Sequence, residues 1–195
     1  MDRHTLYTTL CRELPGIYVE VGTCLGGFAK FLLDSTPCFK LFCVDPYKHF
    51  EEGEYMDALN AMSQEMCDLK YENVQKMLKQ HAGERVHMVR TTSTEAAEMF
   101  PDASLDFVYI DANHEYSYVK EDILAWMPKI RPGGILAGDD VEPLDLPHTE
   151  KNAFIQHNDW AYGLYGVHTA LVDIKAENPA FDYTVEGGQF WWKRT

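Results

Sequence analysis

The chain is short of positive charge and has no long apolar run, and each shortage narrows what it can be. Lysine and arginine total 17 against 31 aspartates and glutamates, a formal net charge of −14. Affinity for nucleic acid depends largely on Lys and Arg displacing counterions from phosphates. A DNA or RNA partner is therefore not expected, and a small-molecule partner is. No apolar stretch approaches the roughly 20 residues that span a bilayer, and the first residues, MDRHTLYTTLCREL, lack the apolar centre of a signal peptide. No membrane partner and a cytoplasmic location are the expectations. The five cysteines, Cys11, Cys24, Cys38, Cys43 and Cys67, are odd in number and include no CxxC pair. That pattern suggests neither a disulfide framework nor a structural zinc site, so reduced, mostly buried thiols are expected. Internal repeats and low-complexity tracts are also missing.

What is present is a regular alternation of short apolar runs and helical patterns. At 195 residues, 46% hydrophobic, the chain suits one domain, residues 1–195, with one sizeable core. Leu6, Leu10 and Leu14 have helical spacing, and Pro15-Gly16 stops that segment before the apolar run IYVEV. The turn GTCLGG follows, and Leu25, Phe28, Ala29, Leu32 and Leu33 continue as a helix face. KLFCVD reads as a second strand ending at Asp45, since Pro46 cannot continue a ladder. From Tyr47 to Gly83, Met and Leu at helical spacing (Met56, Leu59, Met62, Met66, then Val74, Met77, Leu78) leave room for two helices. RVHMVR alternates as a third strand, the Thr and Ser cluster at 91–94 precedes a short helix EAAEMF, and LDFVYI is a fourth strand. Val119, Ile123, Trp126, Met127 and Ile130 form one helical face, and Pro132-Gly133-Gly134 turns into a fifth strand, ILAGDD. Residues 141–160 read as a long loop, Tyr162 to Ala176 as a final helix, and FDYTVE and QFWWKR, separated by Gly187-Gly188, as a hairpin.

The glycine turn is not a dinucleotide fingerprint. Three residues separate Gly22 from Gly26, and the glycine that admits a pyrophosphate is missing. A ligand with an adenosine and no phosphate does not need that glycine, and the helix amino terminus still offers N–H groups to a carboxylate. S-adenosylmethionine has that shape. Asp45, at the next strand end, is placed to accept both hydroxyls of a ribose, and Glu20 puts an acid where a cationic amino group or sulfonium would sit.

Three further carboxylates end the fourth and fifth strands: Asp111, and the adjacent pair Asp139 and Asp140. If those strands are neighbours the three converge, and oxygen ligands select a hard divalent cation, Mg2+ first, with Mn2+ or Ca2+ as alternatives. His114, three residues beyond Asp111, is within reach to take a proton near neutral pH. Trp160, Tyr162 and Tyr165 are aromatic candidates for stacking on a sugar face or a planar ring.

YVEVGTCLGGFAKFLL, FCVDPY, the Thr-Ser stretch at 91–94 and DFVYIDANHEY together resemble the class I S-adenosylmethionine-dependent methyltransferases. The resemblance implies an α/β Rossmann-like fold: a mostly parallel seven-stranded sheet, order 3-2-1-4-5-7-6, helices on both faces and a C-terminal antiparallel hairpin. It also implies a cofactor site at Glu20, Gly22, Gly26, Asp45, Ser93 and Asp111, with Glu20 and Gly22 near the methionine moiety, Asp45 on the ribose and Ser93 near the adenine. The acids are similar to those of metal-dependent O-methyltransferases, and a His three residues after the first Asp resembles the macrocin-type sugar O-methyltransferases. Two departures stand out: Asp140 where the catechol type has Asn, and Asp139 where the macrocin type has Glu. The resemblance implies methyl transfer from S-adenosylmethionine to a sugar or glycan hydroxyl, with Asp111, Asp139 and Asp140 on the metal and His114 and Asp111 as the catalytic pair. A metal-independent methyltransferase and a non-catalytic cofactor-binding module remain open beside it, as does a homo-oligomer.

Overall fold

The computed structural model describes residues 1–51, 62–141, 153–157 and 161–195. A short helix α1 (Arg3–Leu10) leads into strand β1 (Gly16–Val21), helix α2 (Gly27–Ser35), strand β2 (Cys38–Val44), helix α3 (Gln64–Ala82) and strand β3 (Val86–Val89). The second half runs through helix α4 (Ser93–Glu98), strand β4 (Leu105–Ile110), helix α5 (Tyr116–Trp126) and strand β5 (Ile130–Gly138). After these come strands β6 (Ala153–His157) and β7 (Ala161–Tyr165), helix α6 (Val167–Glu177), and strands β8 (Thr184–Glu186) and β9 (Gln189–Lys193).

Seven strands form one sheet in the order β3-β2-β1-β4-β5-β9-β8. Counting only that sheet's strands, this is the 3-2-1-4-5-7-6 order expected from the sequence. The five strands from β3 to β5 are parallel neighbours, and β9 is antiparallel to both β5 and β8. All six residues of β4 are buried, as befits a central strand covered on both faces. Alternation along the strands divides the core. Val19, Val21, Val108 and Ile110 pack with α5 and α6 on one face. On the other, Tyr18, Phe107 and Tyr109 meet Leu6 and Tyr7 of α1, Phe28 and Leu32 of α2, and Val74 and Leu78 of α3.

The structure corrects several element boundaries. The final helix begins at Val167; residues 161–165 instead pair antiparallel with 153–157 as a two-stranded sheet, inside what reads as a loop ending at Trp160. Neither short strand has an apolar alternation, so the pairing had no signal in periodicity. Helix α5 stops at Trp126, and a single 3-10 turn over Met127–Lys129 carries Pro128, whose missing N–H cannot continue the helix. Pro132-Gly133-Gly134 lies inside β5 as an irregularity, where the register with β4 slips between Leu105 and Phe107. Leu25 precedes α2 and is 68% exposed, so it is not on that helix's buried face. Of the two helices expected between 47 and 83, α3 is the second; the first, around Met56 and Leu59, falls outside the described residues.

Candidate active site

The carboxyl ends of β1, β2 and β4 open onto a cavity of about 450 Å³. The turn after β1 forms one wall, and its geometry explains Gly22. That residue has φ +89°, and a Cβ there would come within 1.8 Å of the Asp111 carbonyl oxygen. Only glycine lets the turn cross so close to the end of β4. The ladder continues through the crossing: Gly22 N–H donates to Val44 O at 2.8 Å and Asp111 N–H to Val21 O at 2.8 Å. The glycine turn and Asp111 are therefore one structural unit.

Asp45 lines the cavity. Its carboxylate accepts from the Cys24 N–H and the Tyr47 N–H, each at 2.8 Å. Burial pushes its carboxyl above the ordinary value, against the pull of those two N–H groups. Cys24 and Tyr47 both have positive φ, 49° and 41°, a conformation costing roughly 1–3 kcal/mol for a residue with a side chain. The backbone is bent around Asp45 so that its carboxylate stays fixed at the cavity edge.

Ser93 also lines the cavity, at the first position of α4, where Thr92 and Glu95 form a capping box. Its Oγ accepts from Trp126 Nε1 at 2.9 Å. Asp122 is a cavity residue that the sequence reading missed. It is 5% exposed, and burial pushes its carboxyl up to about 7, with the nearby Ser93 hydroxyl opposing and the Glu121 charge adding. Its only sequence signal is a polar residue next to Ile123 on a helix face that is otherwise buried.

Two other expected cofactor residues lie off the cavity wall. Strand alternation puts Glu20 on the same face as Tyr18, behind the turn; it is 2% exposed, and burial pushes its carboxyl well above the ordinary range. Gly26 is the left-handed N-cap of α2, where a Cβ would press on Val74 and Met77 of α3.

The acids at the ends of β4 and β5 do not act as one group. Asp111, His114 and Asp140 bring ligand-type atoms within 4.8 Å of one another. His114 Nε2 lies 3.5 Å from Asp111 Oδ1 and 3.3 Å from Asp140 Oδ2, and its ring stacks on Tyr165 with centroids 5.0 Å apart. Asp139 is held elsewhere. Its Oδ2 accepts from Arg3 Nη1 at 2.5 Å and from Tyr109 Oη at 3.0 Å; its Oδ1 accepts from the Asp140 N–H at 2.7 Å and from Gln189 Nε2. Arg3 also reaches Asp111 Oδ2 at 3.3 Å. Burial works against the Arg3 charge, but Tyr109, Asp139 and Asp111 more than offset it and raise its pKa. The positive φ of Asp140, 55°, turns two adjacent acids onto different partners. Arg3 was invisible in sequence, being 108 residues from Asp111. Trp160 falls outside the described residues, and Tyr162 is described only in its backbone.

The sequence model of a family described as a methyltransferase domain matches residues 19–141. The solved structure of the O-methyltransferase NovP superposes with a TM-score of 0.64 at 17% identity, covering 99% of this chain and 79% of that one. A Burkholderia thailandensis 1,6-didemethyltoxoflavin-N1-methyltransferase, solved with bound 1,6-didemethyltoxoflavin and S-adenosylhomocysteine, gives 0.57 at 17% identity, covering 98% and 75%. An rRNA methylase from Streptococcus thermophilus gives 0.56 at 11% identity, covering 98% and 94%. At these identities the likeness shows the fold. A curated relative, the uncharacterized protein y4gI of Sinorhizobium fredii, is 36% identical over 55 residues, a stretch that is 28% of this chain and 6% of that protein. The matched family and the strand order agree: the chain belongs to the methyltransferase-domain family and has the Rossmann-like fold of its solved methyltransferase neighbours.

Proposed function

We propose that the protein transfers the methyl group of S-adenosylmethionine to a hydroxyl of a small acceptor, a sugar or glycan, with His114 as general base. The observation that carries this reading is His114 Nε2 at 3.5 Å from Asp111 and 3.3 Å from Asp140, beside a cavity that Asp111 and His114 line. The acceptor oxygen attacks the methyl carbon in line with the sulfonium, and the carbon–sulfur bond breaks to leave neutral S-adenosylhomocysteine. The hydroxyl proton passes to His114 Nε2, whose flanking carboxylates stabilise the imidazolium that forms. Asp45 holds the ribose hydroxyls. Tyr165, stacked on His114, keeps the ring in the plane that meets both acids. A sugar hydroxyl is a poor nucleophile at neutral pH, which is why a positioned base is needed.

Asp111 and Asp140 fit a divalent cation, Mg2+ or Mn2+, by donor type and by the convergence of their oxygens with His114. Such an ion supplies Lewis-acid polarisation that lowers the acceptor hydroxyl's pKa. Asp139, the third ligand expected from sequence, has Arg3, Tyr109, Gln189 and a backbone N–H on its oxygens, and so is better suited to hold Arg3 than an ion. That same cation favours a second reading, in which Arg3 neutralises the acids and methyl transfer needs no metal. Screening hydroxylated acceptors for S-adenosylhomocysteine release, with and without excess chelator, tests both. Loss of turnover in chelator, restored by Mg2+ or Mn2+, is the expected result. Undiminished turnover would select the metal-free reading, and no release with any sugar would sink the acceptor class.

A further inference from the structure

Arg90 follows β3 and is not part of the cavity wall, yet its guanidinium closes a network on the loop that carries Asp45. Its Nη2 donates to Tyr47 O at 2.7 Å and its Nε to Pro46 O at 3.4 Å. The same Nη2 meets the Asp68 carboxylate, and the guanidinium lies over the Tyr71 ring, 4.9 Å from its centroid. Helix α3 adds a second donor to the same carbonyl: Gln64 Nε2 reaches Tyr47 O at 3.1 Å and Asp68 Oδ1 at 2.9 Å. Tyr47 passes this grip on to the cavity. Its N–H donates to Asp45 Oδ1 at 2.8 Å, and its hydroxyl donates to Cys24 O at 2.9 Å, while the Cys24 N–H holds Asp45 Oδ2 at 2.8 Å. Both relaying residues have positive φ, a conformation that persists only where the surroundings over-determine it. Bonding two carbonyls and a carboxylate with one planar fork is arginine chemistry, which a single ammonium does not reproduce.

We propose that Arg90 is a positioning residue for the methyl donor: by fixing Tyr47 from outside the cavity, it sets the direction of the Asp45 carboxylate and with it the discrimination of a ribose from a deoxyribose. The assignment rests on the reading of Asp45 as the acceptor of the ribose hydroxyls. Each Asp45 oxygen already accepts one backbone N–H, so the lone pairs left for a ligand point where the Tyr47 and Cys24 amides leave them. Freed at its carbonyl, Tyr47 relaxes its φ, the amides swing and the carboxylate rotates. A ribose 2′-hydroxyl then loses more than the rest of the ligand does.

The test is calorimetric binding of S-adenosylhomocysteine and of its 2′-deoxyribose counterpart to the wild-type protein, to Arg90→Gln, to Asp45→Asn and to the double variant. The wild-type protein should prefer the ribose ligand by about 10- to 100-fold, the usual worth of leaving a buried carboxylate short of a donor. In Arg90→Gln that preference should shrink by about three- to tenfold, a modest share because the Arg90 side chain is 33% exposed. In the Asp45→Asn background the loss of Arg90 should leave the ratio where it is, since an effect relayed through Asp45 has nothing left to act on. A merely structural role weakens both ligands alike with an unaltered ratio, and that outcome overturns the proposal. So does an Arg90 effect of equal size with and without Asp45. Asp68→Asn keeps Arg90 but removes its ion pair and should move the ratio the same way by less, which gives a reading that does not depend on Arg90→Gln folding; a ratio unmoved in Asp68→Asn counts against the network. A wild-type protein that binds S-adenosylhomocysteine without any ribose preference would overturn the Asp45 reading and this assignment with it. An intact preference that Arg90→Gln leaves untouched would overturn Arg90 alone.

Discussion

Two sets of acids at the sheet's carboxyl edge, Asp122 on α5 and the aspartates that end β4 and β5, are handled in opposite ways. At the α5 end, Asp122 is buried, pairs with no basic side chain among the described residues, and is burdened by the Glu121 charge. At the β4–β5 end, Asp139 and Asp111 share the Arg3 guanidinium, and Asp111 and Asp140 flank His114. An acid matched by the protein's own positive group is settled before any ligand arrives. A buried acid with no such partner resists ionisation. The first arrangement suits chemistry that needs a fixed charge pattern.

The largest expected effect lies at the settled end. His114→Ala should lower kcat by about 10² to 10⁴, the usual worth of a positioned base, while S-adenosylhomocysteine affinity measured by calorimetry stays within a few-fold. An unchanged kcat would remove His114 from proton transfer. Next is the stability of the unsettled end. The Asp122 carboxyl is raised from 3.8 to about 7, so between those values the folded state binds more protons than the unfolded one. Its contribution is fully favourable below about pH 4 and is lost as pH rises to about 7, amounting to roughly 4 kcal/mol. Thermal melts of the ligand-free protein should therefore show Asp122→Asn gaining on the wild type as pH increases from 4 to 8. A constant gap would mean the acid is already matched. The smallest effect concerns Arg3, whose side chain is 36% exposed. Arg3→Gln should cost about 1 kcal/mol in denaturant unfolding and, by removing a like charge, tighten Mg2+ binding by roughly three- to tenfold. If turnover instead falls and chelator has no effect on it, Arg3 is the working cation and the two ends differ even more than the geometry suggests.

Much of the frame was readable from residues. Apolar runs ending in Asp45, Asp111 and Asp139 marked the strand ends, because a parallel sheet covered on both faces needs continuous apolar strands and exposes polar groups only where they stop. The β6–β7 pair escaped because short strands such as AFIQH and AYGLY are stabilised by each other and carry no period of their own. Glu20 was legible as an acid beside the glycine turn, but strand alternation, which sequence position alone does not reveal, sent it behind the turn. Asp122 and Arg3 escaped for a different reason: a polar residue on a helix looks like a solvated one until the packing around it is known.

By itself the sequence determined the succession along the chain of the seven strands of the main sheet, the glycine at position 22 and the set of acids at the sheet's carboxyl edge. All of these follow from local rules of periodicity, turn chemistry and the limits of proline. Tertiary structure decided which acid meets which partner. Asp139 and Asp140 are neighbours in the chain, yet one binds an arginine from the first helix and the other a histidine from the end of β4. Coulombic and hydrogen-bond partners depend on distance in space, and a single backbone rotation at Asp140 was enough to separate the two.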